Sequence, residues 1–265
     1  MNSLLKTAII ASIKAGKEIL KIYNTDFKVE YKKDESPLTL ADKNANDIII
    51  SFLNETGIPV LSEEGRSIPF EERKKWNQLW IVDPLDGTKE FVKKNDEFTV
   101  NIALIENKKP VMGVVYAPVL DELYFGEEEL GAYKLNNASE NIDDINKLTK
   151  RASKLPLEIS KSYYGVVASR SHLTSETSAY IDEIKKKHDK VEIVSKGSSL
   201  KIVMVAEGTA DIYPRFAPTS EWDTAAGHAV VLASGGRVVQ AKSQDDEVVY
   251  NKEDILNPWF IVKSL

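Results

Sequence analysis

Between residues 79 and 88 the chain changes character abruptly: the apolar run Leu79-Trp80-Ile81-Val82 passes straight into Asp83-Pro84-Leu85-Asp86-Gly87-Thr88. An apolar run without alternation predicts a strand buried on both faces. Pro84 fixes its own φ and biases Asp83 toward an extended backbone, so the strand is expected to end there. Gly87 permits a tight turn, after which residues 88–94 can begin a helix. Two carboxylates three residues apart are thus placed at the carboxyl end of a buried strand beside a helix start, where α/β proteins present ligands. Free backbone N–H groups there can hold a phosphate, and the carboxylates can hold the cations that neutralise it. Paired aspartates are also common in ordinary turns. The apolar strand favours a functional reading, because an exposed turn needs no strand to aim it. Carboxylates that converge without a cation repel and raise one pKa.

Composition narrows the chemistry further. The sequence has no cysteine, which excludes disulfides, iron–sulfur clusters, thiolate zinc sites and a cysteine nucleophile. Its three histidines, His172, His188 and His228, leave little room for imidazole-based zinc chemistry. A net charge of −6 argues against a general nucleic-acid binder. Catalysis is therefore expected to rest on carboxylates and hard cations. A length of 265 residues suits one large domain or two packed small ones. No stretch reaches the roughly 20 apolar residues of a membrane span. The apolar run 7–13 is interrupted and bracketed by lysines. With Leu5, Ile9, Ile13, Leu20 and Tyr23 at helical spacing, it predicts an amphipathic first helix, not a signal peptide. The expected compartment is the cytoplasm, with peripheral association at the inner face of the membrane left open.

Further along, helices are expected at 39–56, 175–187, 198–206 and 224–233. Strands are expected at 27–31, 59–61, 79–82, 98–105, 111–116, 122–125, 165–168, 191–194, 211–213, 237–240, 248–250 and 260–262. An antiparallel-rich first half beside an alternating second half predicts an α/β (α+β) chain folded as layered sheets and helices. Residues 1–135 form the expected N-terminal α+β metal-binding domain. Residues 136–161 form a polar connection, and 162–265 a C-terminal α/β domain that contributes Asp223 and substrate contacts. Glu63-Glu64 follows a short strand and reads equally as a solvated charge pair. Asp223 precedes an apolar helix and reads as its N-cap, which leaves its second oxygen for a metal. His228 reads as a packed, hydrogen-bonded core residue, and Trp222 as a packing anchor.

Two signatures, Asp83-Pro-Leu-Asp-Gly-Thr88 and Trp222-Asp223-Thr-Ala-Ala-Gly227, resemble those of the lithium-sensitive, magnesium-dependent inositol monophosphatase superfamily. The stretches 83–91, 97–103, 113–118, 169–172, 197–201 and 206–215 are most similar to its CysQ-type 3'(2'),5'-bisphosphate nucleotidases. The resemblance implies an αβαβα sandwich. It implies two or three Mg²⁺ ions held by Glu64, Asp83, Asp86 and Asp223 with the Leu85 carbonyl. It gives Asp42 and Thr88 the task of orienting and deprotonating the attacking water, with Glu64 in the same catalytic group. The Asp86–Gly87–Thr88 backbone would meet the phosphate. His172, Ser198, Lys201 and Arg215 match nucleotide-contacting positions, although His172 also fits a plain loop histidine, Lys201 a lysine snorkelling to solvent and Arg215 a carboxylate partner.

The implied reaction is Mg²⁺-dependent hydrolysis of the 3'-phosphate of adenosine 3',5'-bisphosphate to AMP, with 3'-phosphoadenosine 5'-phosphosulfate as a second substrate, in sulfur metabolism. An inositol monophosphatase or sugar bisphosphatase on the same scaffold is the nearest alternative. A non-catalytic nucleotide sensor is the alternative of another class. The expected partner is the small nucleotide alone, with no nucleic acid polymer, bound by a monomer or homodimer.

Overall fold

The computed structural model describes residues 1–31, 37–140, 147–168 and 174–265. Helix α1 (Ser3–Tyr23) starts at Asn2, whose side chain accepts the Leu4 N–H. The short hairpin β1 (Val29–Tyr31)–β2 (Pro37–Thr39) leads into α2 (Leu40–Asn54), which packs along α1. Leu5, Ile9, Ile13 and Ile19 of α1, with Ile49 and Leu53 of α2, are fully buried at helical spacing.

Both helices cover one face of a seven-stranded sheet ordered β3 (Val60–Ser62), β4 (Gln78–Asp86), β5 (Thr99–Glu106), β6 (Lys109–Ala117), β7 (Glu122–Glu127), β8 (Gly131–Asn136) and β9 (Ser153–Lys154). Only β3 and β4 pair in parallel; the other neighbours are antiparallel. The two-residue period of the strands divides their side chains between two cores. Trp80, Val82, Val100, Ile102 and Leu104 face α1 and α2. Leu79, Ile81, Ala103 and Ile105 face the opposite way, onto α7 (Leu200–Glu207) and α8 (Glu221–Ala233). Helix α8 lies close on the sheet because Gly113 has no side chain; a Cβ there would run into the Ala226 carbonyl oxygen.

Beyond α7 and α8 lies a five-stranded sheet ordered β11 (Val191–Val194), β10 (Tyr164–Val167), β12 (Ile212–Arg215), β14 (Phe260–Lys263) and β13 (Arg237–Gln240). Val167, Tyr213, Val238 and Phe260 point inward to α7 and α8. Their neighbours Val166, Ile212, Val239 and Ile261 point outward to α6 (Ser175–Lys185). The five layers α1/α2, sheet, α7/α8, sheet and α6 are the expected αβαβα sandwich. Short helices α3 (Phe70–Arg73), α4 (Thr88–Val92) and α5 (Leu148–Arg151) complete the order. No helix among the described residues is long and apolar enough to cross a membrane.

Several elements depart from the sequence reading. Residues 248–250 form no strand. The Val248 N–H bonds the Val238 carbonyl and the Tyr250 N–H bonds Lys108, so the segment ties two elements together instead of joining one ladder. Strand β4 does not stop at Asp83. Pro84 has no N–H to give, so the β4–β5 register breaks between Asp83 and Asp86, and pairing resumes at Asp86–Thr99. Helix α8 begins at Glu221, not 224, which makes Ser220 the N-cap and puts Asp223 at the third helical position. Part of the polar connection 136–161 belongs to the first sheet, since β9 pairs with β8.

Candidate active site

The site grows from the broken end of β4. Asp83 is 1% exposed, and its Oδ1 accepts the Leu85 N–H at 3.0 Å, which folds the chain around Pro84. Gly87 then takes φ +91°, a left-handed conformation that glycine adopts without steric cost, and α4 begins at Thr88. The Thr88 hydroxyl lies 3.3 Å from the Leu85 carbonyl and donates to Asp42 Oδ1 at 3.1 Å. The predicted Asp42–Thr88 pair is thus assembled from two elements 46 residues apart.

Asp42 is held there by the start of α2. Its Oδ2 accepts the Thr39 N–H at 2.7 Å and the Thr39 hydroxyl at 2.6 Å in a reciprocal capping box. Burial raises the Asp42 pKa; the Thr39 bonds oppose that rise, and the nearby Glu64 carboxylate adds to it. Asp223 occupies the same position in α8, where its Oδ2 accepts the Ser220 N–H at 2.9 Å. Burial, and then repulsion from Asp86, pushes its pKa up to about 8. Asp83 is also raised well above the carboxylate range, first by burial and then by Glu63, Asp86 and Asp223.

The adjacent glutamates separate. Glu63 continues the β3–β4 ladder by giving its N–H to the Val82 carbonyl, and its carboxyl is hydrogen-bonded to that of Asp83. Glu64 faces Asp42 and Lys43. The residue beside the Asp83 carboxylate is therefore Glu63, which the sequence reading did not single out.

Asp86 faces a cleft of about 210 Å³, whose lining includes Gly87, Ser198, Lys201, Arg215 and Asp223. Its Oδ2 accepts the Ser198 hydroxyl at 2.6 Å, the Ser199 hydroxyl at 2.7 Å and the Asn101 amide at 3.3 Å. Ser198 therefore binds Asp86 as well as lining the cleft. Lys201 extends into the cleft, where burial lowers its pKa against the pull of Asp86, and donates to the Lys196 carbonyl at 3.3 Å. Arg215 sits beside the buried Tyr213, which it hydrogen-bonds. The Arg215 Nε is buried with no hydrogen-bond partner among the described residues, a donor whose pairing is incomplete. His172 lies outside the described residues. His228 is fully buried, with Nδ1 3.0 Å from the Tyr250 hydroxyl, and burial holds its pKa near 3. It is a neutral packing residue.

The donor set suits a hard cation. It is all oxygen, two of its carboxyls are hydrogen-bonded to each other, and its buried members are raised first by burial and then by a mutual repulsion that a divalent ion would relieve. Among the described residues, no three His, Asp or Glu side chains already form a complete metal cage.

The model of the inositol monophosphatase family matches residues 1–261. The chain belongs to the inositol monophosphatase family. It is 45% identical over 254 residues, 94% of each chain, to the 3'(2'),5'-bisphosphate nucleotidase CysQ of Salmonella typhimurium. It is 42% identical over 252 residues to the CysQ of Escherichia coli K12, again 94% of each. A crystal structure of CysQ from Bacteroides thetaiotaomicron superposes with a TM-score of 0.92 at 53% identity, covering 100% of this chain and 98% of that one. An inositol monophosphatase-II from Staphylococcus aureus shares the fold, with a TM-score of 0.73 at 23% identity, covering 99% and 89%.

Asn101, Ser199 and Tyr213 join the site without having been singled out from sequence, and Glu63 joins it beyond its reading as half of a charge pair. Asn101 and Ser199 fall within the family-like stretches 97–103 and 197–201, but only the fold shows that both reach Asp86.

Proposed function

We propose that this chain removes the 3'-phosphate of adenosine 3',5'-bisphosphate, releasing AMP and phosphate, and accepts 3'-phosphoadenosine 5'-phosphosulfate at the same site. The observation that carries the reading is the meeting, in one cleft, of a repelling carboxylate group with two cations, Lys201 and the half-buried Arg215. A substrate with a phosphate at each end matches both halves of that cleft. A small sugar monophosphate would leave the cationic half without an anion. The CysQ relatives support the same assignment through their names and their near-complete overlap with this chain.

Asp83, Asp86, Asp223, the Leu85 carbonyl and the Glu63-Glu64 pair would hold two or three Mg²⁺ ions, with Glu63 added to the expected set because it is bonded to Asp83. Bound there, Mg²⁺ supplies charge neutralisation of the phosphoryl oxygens and lowers the pKa of water. The chain's own residues position the rest. Asp42 and Thr88 form a proton path: the Thr88 hydroxyl gives its hydrogen to Asp42 Oδ1, which leaves its oxygen free to accept one from a water. Burial readies Asp42 to receive that proton, since it opposes the carboxylate charge. The backbone of residues 86–88, at the start of α4, would meet the phosphate. Arg215, with its partnerless Nε, and Lys201 would bind the distal phosphate or sulfate. Residues 1–135 and 162–265 act as two halves of one site, the first giving Asp42, Asp83 and Asp86 and the second Ser198, Lys201, Arg215 and Asp223.

The test is phosphate release from purified protein on adenosine 3',5'-bisphosphate, inositol 1-phosphate and fructose 1,6-bisphosphate in parallel, with and without Mg²⁺. Metal-dependent preference for the nucleotide is expected. Preference for a sugar phosphate would overturn the substrate assignment and keep the cation site. Binding without release on any of them would favour a sensor.

A further inference from the structure

We infer that Asn101 and Ser199 are positioning residues that aim the Asp86 carboxylate and thereby set the affinity of the site for its cation; this rests on the reading of Asp86 as a cation ligand. A carboxylate at a strand end can rotate about two bonds, and every rotamer it visits without a metal weakens binding. Here three donor groups, Ser198, Ser199 and Asn101, lie within hydrogen-bond distance of Asp86 Oδ2, which leaves Oδ1 as the oxygen for a cation.

The donors are not equivalent. Ser198 lines the cleft in a left-handed conformation, φ +52°, that serine rarely adopts, and a substrate can compete for its hydroxyl. Asn101 is 1% exposed and Ser199 2%, so neither depends on solvent for its hydrogen bonds. The two amide hydrogens of Asn101 go to Asp86 Oδ2 and to Ser199 Oγ at 2.9 Å, because a carboxylate oxygen only accepts, and its Oδ1 then accepts the Thr99 hydroxyl at 3.0 Å. Ser199 Oγ, already accepting from Asn101, directs its own hydrogen to Asp86 Oδ2 or to the Asp223 carbonyl at 2.8 Å. Ser199 thus lies between two proposed ligand residues that arrive on different elements, β4 and α8. A buried Asn–Ser pair costs stability unless fully bonded, and an apolar pair would fill the same space. Aiming Asp86 accounts for its polarity.

The test is calorimetric titration of Mg²⁺ alone into the metal-stripped full chain, with the Mg²⁺ dependence of turnover measured beside it. Ser199→Ala is expected to weaken Mg²⁺ binding by roughly 10-fold or more, the usual effect of losing a residue that orients a metal ligand. Ser199→Thr should restore it. The activation curve should shift along the Mg²⁺ axis with its plateau largely kept, a split that a purely structural role would not produce. Asn101→Ala is the second variant should Ser199→Ala fail to fold. Unchanged Mg²⁺ affinity in a folded variant, beside a wild type that binds, would overturn the inference alone. A wild type that gives no heat with Mg²⁺ would overturn the cation reading and the inference with it.

Discussion

The starts of α2 and α8 are built alike: each opens with a capping box whose third helical residue, Asp42 or Asp223, accepts the N–H of the cap residue, Thr39 or Ser220. Their surroundings differ. Around Asp42 the neighbours are mainly hydroxyl and amide donors, with Thr39 and Thr88 bonding both of its oxygens. Around Asp223, burial and then the carboxylates of Asp86 and Glu63 push its pKa to about 8, against the Ser220 N–H and the Arg215 charge. The same local device thus places both carboxylates, both are raised by burial, and the groups beside them differ. On the proposed reading, Asp42 would exchange a proton with Thr88, whereas Asp223 would give up its proton for a divalent ion.

That contrast is broken first by neutralising each residue in turn. Asp223→Asn should lower turnover by roughly a thousandfold or more, because one charge of a multi-carboxylate cation site is lost. Asp42→Asn should cost about 10²–10⁴-fold, the usual contribution of a positioned base, with Mg²⁺ binding close to wild type. Steady-state phosphate release and Mg²⁺ calorimetry on both variants separate the two roles. Equal losses of Mg²⁺ binding would erase the distinction.

A smaller effect is expected in the pH dependence of stability without metal. An unfolded aspartate has a pKa of about 3.9, and the folded Asp223 holds its proton to about 8. Across that window the folded protein binds more protons than the unfolded chain, so stability falls as pH rises. Asp83 and Asp42 are shifted the same way and add to the slope. Urea unfolding of metal-stripped protein between pH 5 and 8.5 should show this decline, and Mg²⁺ should flatten it. Rising stability over the same range would contradict the shifts.

The smallest effect belongs to the caps. Thr39→Ala should cost about 1 kcal/mol of stability. It should also lower turnover, because the Thr39 hydroxyl bonds Asp42 directly. Thermal melts and turnover measured together test this, and a stability loss with full turnover would count against the aiming role of the cap.

Much of this was legible in the chain. The apolar run 79–82 predicts a strand buried on both faces, and the Asp-Pro-Leu-Asp-Gly-Thr segment after it predicts where the candidate site lies. Periodicity carried the layers because each strand splits its side chains between two cores. What was not legible depends on distant partners. The choice between Glu63 and Glu64 turns on the ladder bond to Val82, which decides which glutamate reaches Asp83. The sequence places the start of α8 at 224 because Asp223 reads as its N-cap. In the fold Glu221 is fully buried against Lys252 and the N–H groups of Asn251 and Lys252, so the helix begins three residues earlier and Ser220 takes the cap. Strand β8 lacks a strong alternating pattern and owes its place to its pairing with β7.

The central claim is that the carboxylates at the end of β4 are held together for a cation against their own repulsion. Melting temperatures of wild type and Asp223→Asn at pH 8, each with and without Mg²⁺, test it most directly. The account predicts that Asp223→Asn melts at or above the wild type without metal, and that Mg²⁺ raises the wild type while leaving the variant nearly unmoved. A variant that melts well below wild type without metal, yet gains as much from Mg²⁺, would contradict it.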